Sequence, residues 1–320
     1  MSMKEDLVTI SKEMEQINHS FNSIIQPYRS TLWNYCRKLT GSPWDAEDLL
    51  QETLLKAFSS LTRVKQAMNP KSYLFRIATN TWMDSFRKSK VETEEFISEE
   101  LYEGQTVHFN DVYEAIETLV LFLPPKQTAV LLLVDIYKFT SSETAEIIGS
   151  TEGAVYSLLN RARNNMKKLH NHNVEDNRKD STLSNEQSQV ITQYMDSFIK
   201  GDFQKIGTLL AEYATNEVVG RGMDIGKVQI RKNSMGDWAS GGSKQGLTSK
   251  FITLWNQHAI IYTKETEEGS VLWDITTVEI EDGYIAKHKS YYFCKEFLSL
   301  AAKELQIKLD EEKELFGYQW

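Results

Sequence analysis

Apolar residues in the first half of the chain return every three or four positions. In DAEDLLQETLLKAF, residues 45–58, Ala46, Leu49, Leu50, Thr53, Leu54, Ala57 and Phe58 share one side of a helix, leaving Asp48, Gln51, Glu52 and Leu55 on another. Gly41-Ser42-Pro43 breaks the pattern before this stretch, with Ser42 or Asp45 placed to cap the new helix. Asn69-Pro70 breaks it again, and Pro70 suits the first turn of a helix through YLFRIATNTWMDSFRK. Residues 20–90 therefore read as helices. A second helical block spans 111–169. Pro124-Pro125 opens the apolar run QTAVLLLVDIY, and SSETAEIIG and STEGAVYSLLNRARNNMKKL follow as two segments joined at Gly149. Gly149 fits a left-handed helix end, and Ser150 or Thr151 can cap the next helix. Two short helices around a glycine turn, the second ending in basic residues, form a helix-turn-helix pattern.

The period changes after residue 186. A helix over 186–200 stops at Lys200-Gly201-Asp202, and a second amphipathic helix is expected over 203–213. Strand-like runs follow: EVVGRG, HAIIYTKE, SVLWDITTVEIE and YIAKHKSYYF, with Glu281-Asp282-Gly283 as the hairpin turn between the last two. The alternation in SVLWDITTVEIE switches face near Thr276-Thr277, which predicts a bulge there. A final helix is expected from about 294 to 305. The fold class is thus multidomain: two all-α domains, the second with the helix-turn-helix, then an α+β domain with a curved mixed or antiparallel sheet. The boundaries are 1–90, an acidic linker 91–110, 111–170, a polar linker 171–185, 186–305 and a tail 306–320.

Charge sharpens this picture. The net charge of −9 argues against a protein that coats nucleic acid by charge alone. Basic residues nevertheless cluster locally, at Arg76, Arg87, Lys88 and Lys90 and again at Arg161, Arg163, Lys167 and Lys168. Residues 91–111 hold seven acids and no Lys or Arg, as a solvated linker would. No apolar run approaches a membrane span, and the N-terminus is too polar for a secretory signal, so no membrane insertion is expected. Cys36 and Cys294 lie too far apart in sequence to suggest a disulfide framework or metal site, and cytoplasmic residence is the default. His170 and His172 read as linker residues without further ligands nearby. One feature conflicts with DNA binding: Asp45, Glu47, Asp48 and Glu52 make the 45–58 helix acidic, which points to a partner other than DNA.

The motifs in this order resemble the bacterial sigma-70 superfamily, in its short extracytoplasmic-function (ECF) form, over residues 21–169. DAEDLLQETLLKAF resembles the segment that docks on core RNA polymerase, which implies contacts by Asp48, Leu49, Gln51, Glu52 and Leu55. NPKSYLFRIATNTWMDSFRKSK resembles the promoter-melting, −10-reading segment. This implies −10 DNA contacts by Lys71, Arg76, Asn80, Arg87 and Lys88, and a loop around Val64–Lys71 that captures a flipped base. Tyr73, Phe75 and Trp82 could stack on bases, but at least two of the three are expected in the core. LPPKQTAVLLLVDIYKFTSSETAEIIGSTEGAVYSLLNRARNNMKKL resembles the −35-reading region, implying promoter DNA contacts by Tyr156, Ser157, Asn160, Arg161 and Arg163. Tyr156 and Leu158 replace residues that are commonly basic in the family, which implies weaker or altered −35 binding. The acidic linker takes the place of the segment that threads the polymerase cleft.

Residues 186–300 resemble the SnoaL-like, NTF2-like cone, which in certain ECF sigma factors is a built-in regulator. The resemblance implies that this domain modulates activity in cis, with a small-molecule ligand or a protein regulator acting there. A DGGGK-type motif of one such group is absent, and MDIGKV (223–228) is a distant counterpart. No cofactor or metal and no enzymatic activity are implied. Two alternatives stay open. One is an operator-binding helix-turn-helix regulator independent of polymerase. The other is a cone-fold enzyme with a DNA-binding appendage, for which Asp224, Asp274, His258 and His288 are the titratable candidates and Trp238, Trp255 and Trp273 the candidate cavity aromatics.

Overall fold

The computed structural model describes residues 3–61, 69–92, 122–169, 183–236 and 246–310. They belong to two compact units, residues 1–178 and 179–320.

The first unit is helical. Helix α1 runs from Met3 to Thr40, starting well before residue 20, because no strong breaker precedes Gly41 except Pro27, which the helix accommodates. Helix α2 (Pro43–Ser59) opens with Ser42 as its cap, accepting from the Asp45 amide at 3.4 Å, with Pro43 in the first turn. Helix α3 spans Pro70–Glu92. These three bury Leu32, Tyr35, Leu39, Leu50, Leu74 and Phe75 completely or nearly so. The Tyr35 ring stacks on Phe75 at 4.6 Å, and its hydroxyl lies 2.8 Å from Thr79 Oγ1.

QTAVLLLVDIY is not one regular helix. Helix α4 (Pro125–Leu131) gives way to a π-helical turn over Leu132–Ile136. Helix α5 (Ser141–Ile148) carries a reciprocal cap: Thr140 Oγ1 accepts from the Glu143 amide while the Glu143 carboxylate accepts from the Thr140 amide. Gly149 closes α5 at φ 63°, and Thr151, rather than Ser150, caps α6 (Glu152–Leu169) through the Ala154 amide. The segment between the π-turn and α5 packs on α3. Tyr137 and Phe139 meet Phe75 at 5.2 and 5.1 Å between ring centres, and Tyr137 meets Tyr35 at 5.2 Å.

In the second unit, α7 (Asn185–Lys200) and α8 (Phe203–Leu209) lead into a seven-stranded sheet. Its path runs β2 (Gly222–Ile225), β1 (Leu210–Val218), β6 (Tyr284–Ser290), β5 (Gly269–Glu281), β4 (Gln257–Thr266), β3 (Leu247–Leu254), and β7 (Lys308–Leu309) pairs with β5. The β1–β6 and β5–β7 pairs are parallel and the rest antiparallel, so the sheet is mixed and open at β2 and β3. Short α9 (Lys227–Lys232) and α10 (Lys295–Glu304) belong to the same unit. The fold class is the expected one. The second helix, however, ends at Leu209, because residues 210–213 start strand β1. The Asp282-Gly283 turn does form, with both residues at positive φ, 49° and 76°, as a two-residue hairpin of this twist requires. The bulges fall elsewhere than Thr276-Thr277. On the β4 side Tyr262 faces Asp274 and Thr263 faces Leu272, so Trp273 is the extra residue. On the β6 side the shift comes between Glu279 and Ile280.

Candidate functional site

Helix α2 sorts its polar residues by direction. Asp48 and Glu52 are exposed, and so is Leu55, at 57%. Leu49 is buried and forms the floor rather than the rim; Gln51 is half-buried. Asp45, Asp48 and Glu52 line an open groove of about 500 Å³ whose apolar side comes from Leu49 and from Trp82 and Phe86 of α3. Glu47 does not belong to this acidic rim. It is fully buried, its carboxylate accepting from Trp33 Nε1 at 2.8 Å and Gln51 Nε2 at 2.6 Å, with Arg29 Nη2 at 3.9 Å. Nothing in the helical spacing signals this beyond its position beside Ala46 and Leu50.

On α3, Arg76, Asn80, Asp84 and Arg87 are exposed at helical spacing and make one polar stripe, with Lys88 beside it. Arg87 pairs with Asp84 at 3.2 Å. Lys71 does not join the stripe. Its ammonium donates to the Tyr137 carbonyl at 3.3 Å and sits 4.4 Å from the centre of the Phe139 ring. Phe75 and Trp82 are buried and Tyr73 half-buried, its hydroxyl donating to the Ala57 carbonyl at 2.9 Å. Most of the expected base-capturing loop, residues 62–68, and residues 93–110 of the acidic linker lie outside the described residues; the first two linker positions belong to α3.

Helix α6 buries Val155, Leu159 and Ala162 and exposes Tyr156, Ser157, Asn160, Arg161 and Asn164. Arg163 is tied down. Its Nη2 and Nε donate to the two carboxylate oxygens of Asp135 at 2.6 and 3.1 Å, which raises the guanidinium pKa further. A groove of about 470 Å³ beside the helix is lined by Lys126, Gly149, Ser150, Gly153, Ser157 and Arg161. Lys126 and Asn164 are additional polar groups on this surface that motif matching passes over. Their exposure beside the helix-turn-helix, not their residue type, marks them.

Residues 24–91 match the family profile for sigma-70 region 2, and residues 113–166 that for sigma-70 region 4. The chain is 31% identical over 136 residues to the ECF RNA polymerase sigma factor EcfG of Rhodopseudomonas palustris, covering 41% of this chain and 74% of that protein. This chain belongs to the ECF RNA polymerase sigma factors. It is also 29% identical over 227 residues to the ECF sigma factor SigG of Mycobacterium tuberculosis, a match spanning 62% of this chain and 61% of that protein. An NTF-2 like protein of unknown function from Burkholderia xenovorans aligns with 33% of this chain and 82% of its own, at 11% identity and a TM-score of 0.28.

The second unit of this sigma factor has a polar interior. Strand register puts Tyr262, Asp274, Thr276, His288 and Ser290 on one face of the sheet, all buried. Tyr194 of α7 reaches that face and its hydroxyl lies 2.7 Å from His288 Nε2. Burial pushes the His288 pKa down to about 4 and holds the imidazole neutral. Ser290 Oγ donates to Asp274 at 2.9 Å. The other titratable candidates sit apart. Asp224 on β2 accepts from Ser234 and Asn233; partial burial pushes its pKa up, but these hydrogen bonds together outweigh that and lower it. His258 at the start of β4 contacts Thr253 at 3.1 Å. Trp273 packs on Tyr262 and Tyr292, and Trp255 on Phe297, and both are half-buried. Trp238 lies outside the described residues.

Proposed function

We propose that this protein docks on core RNA polymerase, directs it to specific promoters and opens them, with the C-terminal domain modulating that activity in cis. The groove between α2 and α3 carries the reading. It combines an acidic rim, Asp45, Asp48 and Glu52, with an apolar floor, and Leu55 is exposed further along α2. Negative charge there repels DNA, whereas a basic, partly apolar protein surface would be attracted and steered. The α3 stripe of Arg76, Asn80 and Arg87, with Lys88, and the exposed face of α6 are then the −10 and −35 contacts, supplying phosphate neutralisation and base-edge hydrogen bonds. Lys71 would join them only after leaving Tyr137. Residues 1–90 serve as the −10 and polymerase-binding domain, 111–170 as the −35 domain and 186–305 as the NTF2-like modulator. Chemistry stays with the polymerase, in the cytoplasm. The polar linker 171–185 keeps the modulator at high effective concentration.

Promoter-dependent transcription with bacterial core polymerase, comparing residues 1–320 with a chain ending at Val174, tests this. Initiation from either chain on a genome-wide template pool supports the assignment, and greater activity of the shorter chain identifies the C-terminal domain as an inhibitor. If neither folded chain directs initiation while the protein alone binds duplex DNA tightly, an operator-binding regulator replaces it.

A further inference from the structure

The five candidate residues on α6 do not share one direction. On a helix of about 3.6 residues per turn, Ser157, Asn160, Arg161 and Asn164 point away from the buried Val155–Leu159–Ala162 stripe. Arg163 lies roughly 100° around from that outward direction, on the flank next to α4 and its π-helical turn. The turn carries Asp135, whose carboxylate meets the Arg163 guanidinium as two parallel hydrogen bonds of 2.6 and 3.1 Å. A second tie, Asn165 Nδ2 to Gln127 Oε1 at 3.0 Å, joins α6 to α4, which runs into that turn.

Reading a guanine bidentately needs the arginine fork that Asp135 already fills. Swinging Arg163 to DNA would break a bidentate pair and leave the Asp135 carboxylate uncompensated beside phosphates. Both costs oppose binding. Arg163 is itself exposed, 53% of its side chain, but unlike Arg161 it does not line the groove beside Lys126.

We propose that Arg163 is a positioning residue and not a DNA contact. Its fork on Asp135 braces α6 against the π-helical turn and sets the angle at which Ser157, Asn160, Arg161 and Asn164 meet the duplex. Asn164 takes the place in the reading surface that residue type alone assigns to Arg163. The assignment rests on α6 being the −35 recognition helix.

The test uses the full chain assembled with core polymerase and a pool of short promoter duplexes randomised at the −35 element. Preferred bases and the salt dependence of affinity are measured for the wild type, Arg163→Ala, Arg163→Lys, the near-isosteric Asp135→Asn, the exchange Asp135→Arg with Arg163→Asp, and Asn164→Ala. A brace predicts that Arg163→Ala, Arg163→Lys and Asp135→Asn blur the preference alike over several positions without changing the salt slope. The exchange restores the wild-type preference, and Asn164→Ala relaxes one position by roughly tenfold. A simple loss of stability would lower the melting temperature without shifting base preference. The proposal is overturned if Arg163→Ala reduces the salt slope by about one, if Asp135→Asn tightens binding, or if the exchange fails to restore preference. A wild-type chain with no base preference at all sinks the −35 reading itself, and the proposal with it. That outcome is distinguishable because every variant would then behave like the wild type.

Discussion

Replacing Glu47 with leucine removes a carboxylate that is fully buried yet accepts from Trp33 Nε1 at 2.8 Å and Gln51 Nε2 at 2.6 Å. It also strips a carboxylate lying 3.9 Å from Arg29, a guanidinium only 4% exposed. Each hydrogen bond to a charged group is worth about 1.5–3 kcal/mol. Breaking a buried ion pair from one side costs about 3–5 kcal/mol. The terms overlap, so the expected loss is about 3–5 kcal/mol for the single variant. Removing both charges, as Glu47→Leu with Arg29→Met, also takes out the buried guanidinium and should recover part of the loss. Hydrogen exchange of the α1 and α2 amides reads this locally, which avoids treating a two-unit chain as one transition. The same single variant frees the Gln51 amide and should weaken polymerase binding without touching an exposed residue. A cost below about 1 kcal/mol, or a double variant no more stable than the single one, would refute the reasoning.

Three further outcomes follow from the geometry. His288, near 4 when folded against 6.5 unfolded, binds fewer protons in the native state between those values. The C-terminal unit should therefore be fully stabilised above pH 6.5 and lose up to roughly 3 kcal/mol as pH falls to 4. Near-ultraviolet circular dichroism across an acid titration checks this, and His288→Gln should flatten the dependence. Gly283→Ala forces a Cβ onto a residue at φ 76° and should cost about 1–2 kcal/mol by thermal melting. The nearby Glu186 carboxylate is exposed and can move aside. Lys71→Met keeps the aliphatic stem near Phe139 but removes the ammonium, and should cost roughly 0.5–1 kcal/mol in a double-mutant cycle with Phe139→Leu. An uncoupled pair would show that the Lys71 contact contributes nothing.

Where local chemistry decides structure, the sequence is readable. Ser42, Gly149 and Thr151 each satisfy helix ends from neighbouring residues, and Asp282-Gly283 supplies its own turn. Failures occur where partners are distant. LLAEYATNEV contains good helix formers, yet residues 210–218 form a strand because β6 and β2, on either side, satisfy their backbone. LTSKFITL lacks clean alternation, having neighbouring apolar Phe251 and Ile252, and its pairing with β4 makes it strand β3. The Trp273 bulge is equally nonlocal: it depends on the register between β4 and β5.

The candidate surface shows the same division more sharply, because charge is legible in sequence but its commitment is not. Glu47, Lys71 and Arg163 all read as polar surface residues. In the fold, Glu47 is committed to Trp33 and Gln51, Lys71 to the Tyr137 carbonyl, and Arg163 to Asp135. Their partners stand 14, 4, 66 and 28 residues away, and only the Gln51 spacing is one that helical periodicity can reveal. The two cations matter most for mechanism. Each must first give up a protein acceptor before contacting DNA, so each contributes less to promoter affinity than Arg76 or Arg161. If Lys71 and Arg163 proved as damaging to lose as Arg76 and Arg161 at matched protein stability, the contacts that hold them would have to be rearranged in the polymerase-bound chain.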